Sequence, residues 1–133
     1  MDPKSMIEKA MQARNRAYAP YSQFMVGACL ETKSGKQYFG CNIENSSFGA
    51  TNCAERTAFF KAVSEGEREF TKIAIVGGKK DGEIEICPPC GICLQVMSEF
   101  CDPETFQVIL GDTTTYKVLL LKELLPMGFA LES

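Results

Sequence analysis

Histidine and tryptophan are both absent from this chain of 133 residues. The lack of histidine removes the commonest general base near neutral pH and the commonest metal ligand. Acid–base chemistry must then fall to carboxylate, lysine, cysteine, tyrosine or a metal-bound water. Long apolar runs are missing as well. No stretch approaches the ~20 residues needed to cross a bilayer, and the start of the chain lacks the basic-then-apolar pattern of a secretory leader. A cytoplasmic location is the expectation. Positive charge is not in excess either. With 14 Lys+Arg against 17 Asp+Glu the net charge is -3, so no basic field holds a nucleic acid or an anionic membrane.

What the chain does have is seven cysteines. An odd number without a leader argues against a disulfide framework and for reduced thiols. Some of them can simply be small buried hydrophobes. The length and the 45% hydrophobic content suit one buried core, so residues 1–133 read as a single domain.

Residues Asp2 to Tyr18 carry Met6, Ile7, Ala10, Met11, Ala13 and Ala17 at helical spacing, with Pro3 near the first position. Phe24 to Thr32 and Gln37 to Cys41 are β-rich runs around Lys33-Ser34-Gly35-Lys36, which predicts a hairpin. Asn42 to Asn52 has no sustained period and reads as a long loop, closing at a Thr51/Asn52 cap. Loops of that length in a compact domain are usually functional. Cys53 to Ser64 is the clearest helix. Ile73 to Gly77 is a short buried strand, Glu83 to Cys87 a short extended piece, and Cys90 to Phe100 a second central helix. Phe106 to Gly111 and Thr115 to Leu120 are further strands, and Leu121 to Leu125 is a helical turn before a tail with Phe129 and Leu131. The order predicts an α/β domain with helices on both faces of one mixed, five-stranded sheet.

Two stretches concentrate the chemistry. Cys53-Ala54-Glu55-Arg56 sits at one helix start, and Cys87-Pro88-Pro89-Cys90-Gly91-Ile92-Cys93 leads into another. Converging helix N-termini would bring three thiolates to one point, facing backbone N–H groups and positive dipole ends. Three ligands leave one tetrahedral position open, as in catalytic rather than structural zinc sites. A dication with three thiolates is net negative, which makes bound water harder to ionise. Arg56, three residues after Cys53, lies on the same helix face and can draw charge from the sulfurs. Glu55 can move a proton between water and substrate. Taken alone, however, Glu55 also reads as a first-turn glutamate favoured by the dipole, and Arg56 as one half of a surface ion pair.

Cys53-Ala54-Glu55 followed by Pro89-Cys90-Gly91-Ile92-Cys93 resembles the zinc-dependent cytidine deaminases. Tyr18-Ala-Pro-Tyr-Ser-Gln-Phe24, Asn42-Ile-Glu44-Asn, Asn52-Cys-Ala-Glu-Arg56 and Leu124-Leu-Pro-Met-Gly-Phe129 resemble successive motifs of the small, homotetrameric, three-cysteine branch. The resemblance implies a cytidine deaminase-like fold and one Zn2+ per subunit on Cys53, Cys90 and Cys93. It implies hydrolysis of cytidine and 2′-deoxycytidine by zinc-bound hydroxide attack at C4, in pyrimidine salvage, with Glu55 as the catalytic proton carrier. It further implies that Asn42 and Glu44 bind the ribose, that Phe24 walls the nucleoside and that the Ala54 backbone meets the pyrimidine. Ser46 and Phe48 match loop positions lent by a neighbouring subunit, and Phe129 an aromatic that closes over a site. Plain core packing remains a second reading for Phe24 and Phe129.

Three positions depart from the family's pattern. Phe48 stands where Tyr is usual, Leu94 replaces the Arg that commonly follows the last cysteine, and Cys87 adds a thiol. Leu94 leaves Arg56 to compensate the sulfur charge alone. Cys87 sustains two rivals: a closed four-sulfur structural zinc module with Cys53, Cys90 and Cys93, and a Cys87/Cys90 redox pair. A deaminase of a modified cytosine nucleoside is the enzymatic alternative.

Overall fold

The computed structural model describes residues 1–129 and 131. Asp2 caps the first helix, α1 (Pro3–Arg14): its carboxylate accepts the Ser5 N–H at 2.8 Å, and Pro3 fills the first turn. The helix stops short of the expected Tyr18. Arg14 turns its guanidinium onto the carbonyls of Met25, Gly78 and Lys79 at 2.9, 3.0 and 2.8 Å. Tyr18 then joins a short bridge with Ile43, its N–H donating to the Asn42 carbonyl at 3.0 Å.

The hairpin of β1 (Phe24–Thr32) and β2 (Gln37–Cys41) forms as expected. After it come α2 (Ala54–Ser64), β3 (Phe70–Lys79), the two-residue β4 (Ile84–Glu85), α3 (Gly91–Phe100), β5 (Gln107–Gly111), β6 (Tyr116–Leu120) and the one-turn α4 (Leu121–Leu124). The sheet runs β2-β1-β3-β5-β6, with β4 added beside the far end of β3. β3 and β5 are parallel and the other pairs antiparallel. The sheet is therefore mixed, with five strands in line and a small sixth. β3 exceeds the expected Ile73–Gly77 because β1 pairs with it along its whole length, from Phe24↔Lys79 to Thr32↔Phe70.

Alternation along the strands divides the core in two. Val26, Ala28, Leu30, Ile73, Ile75, Val108 and Leu110 belong to the layer under α2 and α3. Cys29, Ala74, Val76 and Ile109 pack with Met6, Ile7 and Ala10 of α1 on the other face. Helices thus cover both faces. Phe59 of α2 anchors the larger layer, with the rings of Phe70, Phe106 and Phe100 at 5.1, 6.1 and 6.3 Å. Burying such a ring contributes about 2–3 kcal/mol.

Two glycines set how closely the helices approach. A Cβ on Gly27 would stand 2.0 Å from the Ala10 carbonyl of α1, and one on Gly40 would stand 2.2 Å from the Ala54 carbonyl and 2.6 Å from the Ala58 nitrogen of α2. Only glycine admits the two helix backbones there. The loop between β2 and α2 is held by Ile43, which exchanges N–H···O bonds with Asn52 at 2.9 Å each. That pairing occupies Asn52, so Cys53, not Thr51 or Asn52, is the N-cap of α2. Among the described residues no helix is long and apolar enough to cross a membrane.

Candidate metal centre and active site

Cys53 caps α2 and Cys90 caps α3, each in extended backbone conformation, while Cys93 lies in the first turn of α3. Gly40 lets α2 settle against the hairpin, and Pro88-Pro89 keeps the approach to α3 from continuing as helix. The three Sγ atoms lie within 4.8 Å of one another, and Cys53 and Cys90 are 3.8 Å apart. Two sulfurs each ~2.3 Å from one tetrahedral zinc ion would stand about 3.8 Å apart, so the donor set fits zinc. Cys87 stands outside this group, against the closed four-sulfur arrangement.

The thiols are already polarised. Cys53 is drawn down to about 5, mainly by a hydrogen bond from the Cys93 thiol and then, against the cost of burial, by Arg56. Cys93 is pushed far up as the donor of that bond and by burial. The pair holds one proton that a dication would displace. Arg56 Nη2 donates to Cys53 Sγ at 3.3 Å, and its Nε is buried without an acceptor. Its pKa is raised, first by the bond to Cys53 and also by Cys93. Arg56 thus faces the sulfurs rather than solvent. Leu94 is buried in the apolar layer under α2 and α3.

Glu55 is 5% exposed, in the first turn of α2. Burial raises its carboxyl to about 7, with the neighbouring Cys53 charge adding to the effect. A surface glutamate that merely complements the helix dipole would be solvated. Cys87, half-buried, is held near 11 by burial and by the negative charge of Glu55 and Cys53, so it borders the same space as a neutral thiol. It also packs at Gly77, where an added Cβ would meet the Cys87 sulfur at 3.0 Å and the Phe24 ring at 3.1 Å. Phe24 is partly buried there, and Ala54 is fully buried.

The polar residues are tied to the loop before β1. Glu44 is buried and accepts N–H groups of Tyr21 at 3.0 Å and Ser22 at 3.2 Å, together with the Ser22 hydroxyl. Those bonds, the Ser22 hydroxyl foremost, hold its carboxyl below the usual range. Asn42 donates to the Phe24 carbonyl and accepts from the Val26 N–H, both at 2.8 Å, extending the β1–β2 ladder with its side chain. Ser46 shares a 2.6 Å hydrogen bond with the Tyr21 hydroxyl. Phe48 is 78% exposed on a 3-10 turn. Phe129 is 67% exposed and lies along α3, paired through its backbone with the Gln95 amide. Within one chain the structure gathers the cysteines, Glu55 and Arg56, and leaves Phe48 and Phe129 facing outward. The supporting roles of Ser22 and Gly40 were not foreseen; only the Tyr-Ser pair in the first motif pointed toward Ser22.

An α/β sheet presenting three thiols at two helix N-termini, beside a buried proton-holding carboxyl, defines a zinc-dependent hydrolytic enzyme. Residues 1–109 match the family model described as the cytidine and deoxycytidylate deaminase zinc-binding region. A cytidine deaminase of Halalkalibacterium halodurans is 49% identical over 133 residues, covering 99% of this chain and 97% of that protein. The crystal structure of a cytidine deaminase from Burkholderia pseudomallei, 47% identical, superposes with a TM-score of 0.87 over 97% of this chain and 100% of that one. A blasticidin-S deaminase of Bacillus cereus is 32% identical over 108 residues, 78% of this chain and 76% of that protein. The chain belongs to the cytidine and deoxycytidylate deaminase family.

Proposed function

We propose that the chain hydrolyses cytidine and 2′-deoxycytidine to the corresponding uridines with release of ammonia, as a step of pyrimidine salvage. The observation that carries this is the meeting of Cys53, Cys90 and Cys93 beside buried Glu55 where α2 and α3 begin. The 49% identity to a cytidine deaminase along nearly the whole chain supports the substrate. Cys53, Cys90 and Cys93 hold one zinc ion per subunit. When bound, zinc supplies the Lewis acidity that makes water a nucleophile near neutral pH.

Glu55 moves the protons. Held near 7, its carboxylate accepts one proton from the attacking water and delivers it to ring N3. It then takes the proton left on the new C4 hydroxyl and passes it to the amine departing from C4, which leaves as ammonia. Arg56 draws charge from the sulfurs. Phe24 and the Ala54 backbone position the pyrimidine. Glu44, kept ionised by Ser22 and Tyr21, accepts a hydrogen bond from a ribose hydroxyl, and Asn42 meets the sugar beside it.

Residues 1–133 act as one catalytic domain in the cytoplasm, in keeping with cysteines that are all free. Four copies assemble, with Ser46, Phe48 and Phe129 completing neighbouring sites. The exposed rings support this, as does a shallow apolar hollow of about 630 Å3 between Phe129, Phe60, Ile92 and Val96. Sedimentation of the zinc-loaded protein should give a tetramer; a monomer at micromolar concentration contradicts the shared sites.

The decisive assay follows loss of cytidine absorbance. Glu55→Gln should retain zinc while turnover falls roughly 10²–10⁴-fold. Turnover near that of the parent protein would remove Glu55 from the proton path. A kcat/KM higher for blasticidin S than for cytidine would move the substrate assignment to the modified nucleoside.

A further inference from the structure

β2 is an edge strand of the sheet, and a hollow of about 430 Å3 opens along it. The two helices flank it from opposite faces: Lys9 from α1 and Arg16 from just beyond that helix, Thr57 and Lys61 from α2, with Phe39 of the strand between them. In a chain of net charge -3, three cations thus line one concavity, and no carboxylate does. Among the described residues none of the three takes part in an ion pair. Phe39 is 42% exposed although it lies on a strand. The metal cluster and Glu55 do not line this hollow.

Each feature suits a different part of one ligand. Unpaired lysine and arginine side chains favour phosphate oxygens, with Arg16 able to bind them through two N–H groups. An exposed phenyl face suits stacking of a flat heterocycle, which any base provides. The outward edge of β2 offers N–H and C=O groups that have no neighbouring strand, matching the polar rim of a base. The volume lies within the ~300–1,000 Å3 of small-molecule sites. We propose that this hollow binds a nucleoside polyphosphate, its ring against Phe39 and its phosphates among Lys9, Arg16 and Lys61. A carboxylate-bearing ligand without a ring would leave Phe39 unused. Inorganic polyphosphate would do the same.

Calorimetry on the full-length zinc-loaded enzyme tests this, with saturating uridine to fill the catalytic pocket. ATP, UTP and inorganic tripolyphosphate are the titrants. Both nucleotides should bind saturably and weaken as salt rises. The Arg16→Ala/Lys61→Ala double variant should lose about tenfold or more in affinity for every titrant, a difference of about 1.4 kcal/mol. Phe39→Ala should weaken ATP and UTP by a similar factor and leave tripolyphosphate unchanged. The side chains removed are at the surface and outside the catalytic site, so cytidine turnover should stay within about twofold of the parent protein, which also shows that the variants fold. No saturable binding at millimolar nucleotide would overturn the proposal, as would affinity that survives the double substitution. Tripolyphosphate binding as tightly as ATP would overturn the base-stacking half and reduce the site to an anion pocket.

Discussion

Gly40→Ala should damage the metal site from a distance, through the backbone alone. The new methyl would lie 2.2 Å from the Ala54 carbonyl oxygen and 2.6 Å from the Ala58 nitrogen, about 1.3 and 0.9 Å inside the ~3.5 Å of ordinary contact. Both obstacles are helix backbone, so α2 must retreat by about 1 Å. Such overpacking costs typically ~1–3 kcal/mol, which for a domain of this size lowers Tm by about 8 °C at the midpoint of that range. Cys53 immediately precedes Ala54 and moves with it. Zinc tolerates only about 0.2 Å in its ligand distances, so affinity should fall by at least tenfold, read by competition with a chromophoric chelator. Gly27→Ala supplies the control. Its methyl would meet the Ala10 carbonyl of α1 at 2.0 Å, on the opposite face of the sheet. It should cost comparable stability and spare zinc affinity. Equal zinc loss in both variants would mean that general loosening, not displacement of α2, governs the site. Unchanged affinity in Gly40→Ala would refute the reasoning outright.

Zinc affinity should rise with pH near neutrality, by about tenfold per unit for each proton displaced, because Cys93 keeps its proton in the metal-free protein. Zinc titrations in dye-buffered solution at pH 6, 7 and 8 check this, and a flat profile contradicts it. In the metal-free protein Glu55 has a second effect. Its folded pKa, about 7 against an ordinary 4.5, is raised, so the neutral form is favoured by folding and stability falls as pH rises between those values. The accumulated loss at pH 8 is about 3 kcal/mol. Metal-free Glu55→Gln should therefore be more stable than the parent protein at pH 8 and lose that part of the pH slope, measured by urea denaturation across pH 4 to 8. An unchanged slope would place the titration elsewhere.

Much of this was legible because the chemistry is local. Cys53, Glu55 and Arg56 occupy one helix turn, and Cys90 and Cys93 another, so spacing offered the candidate groups and their helical context, while the choice of Cys53, Cys90 and Cys93 without Cys87 came with the family resemblance. The β-rich run Phe24 to Thr32 likewise announced a strand, and the structure adds that Val26, Ala28 and Leu30 are buried on one face and Cys29 on the other. What was not legible depends on partners far along the chain. The end of α1 follows from Arg14 reaching carbonyls on β1 and β3, and the capping role of Cys53 follows from Ile43 claiming Asn52. The extra length of β3 comes from β1 beside it. The cradle of Glu44 required the loop of Tyr21 and Ser22 to fold across it. Gly40 carried no signal at all, since its importance lies in the helix that presses on it.

Cys53 and Cys90 belong to helices separated in the chain by β3, the strand flanked by β1 and β5 at the middle of the sheet. The sulfur cluster exists only once the hairpin has received α2, β3 has been inserted and α3 has docked on the same face. A chain still emerging in sequence order holds one ligand until α3 is made, and a single thiolate gives zinc no chelate. Metal capture would thus report assembly only as far as α3: the ion that equips the enzyme for hydrolysis would be held by chains whose α2, β3 and α3 are in place, before β5 and β6 complete the sheet.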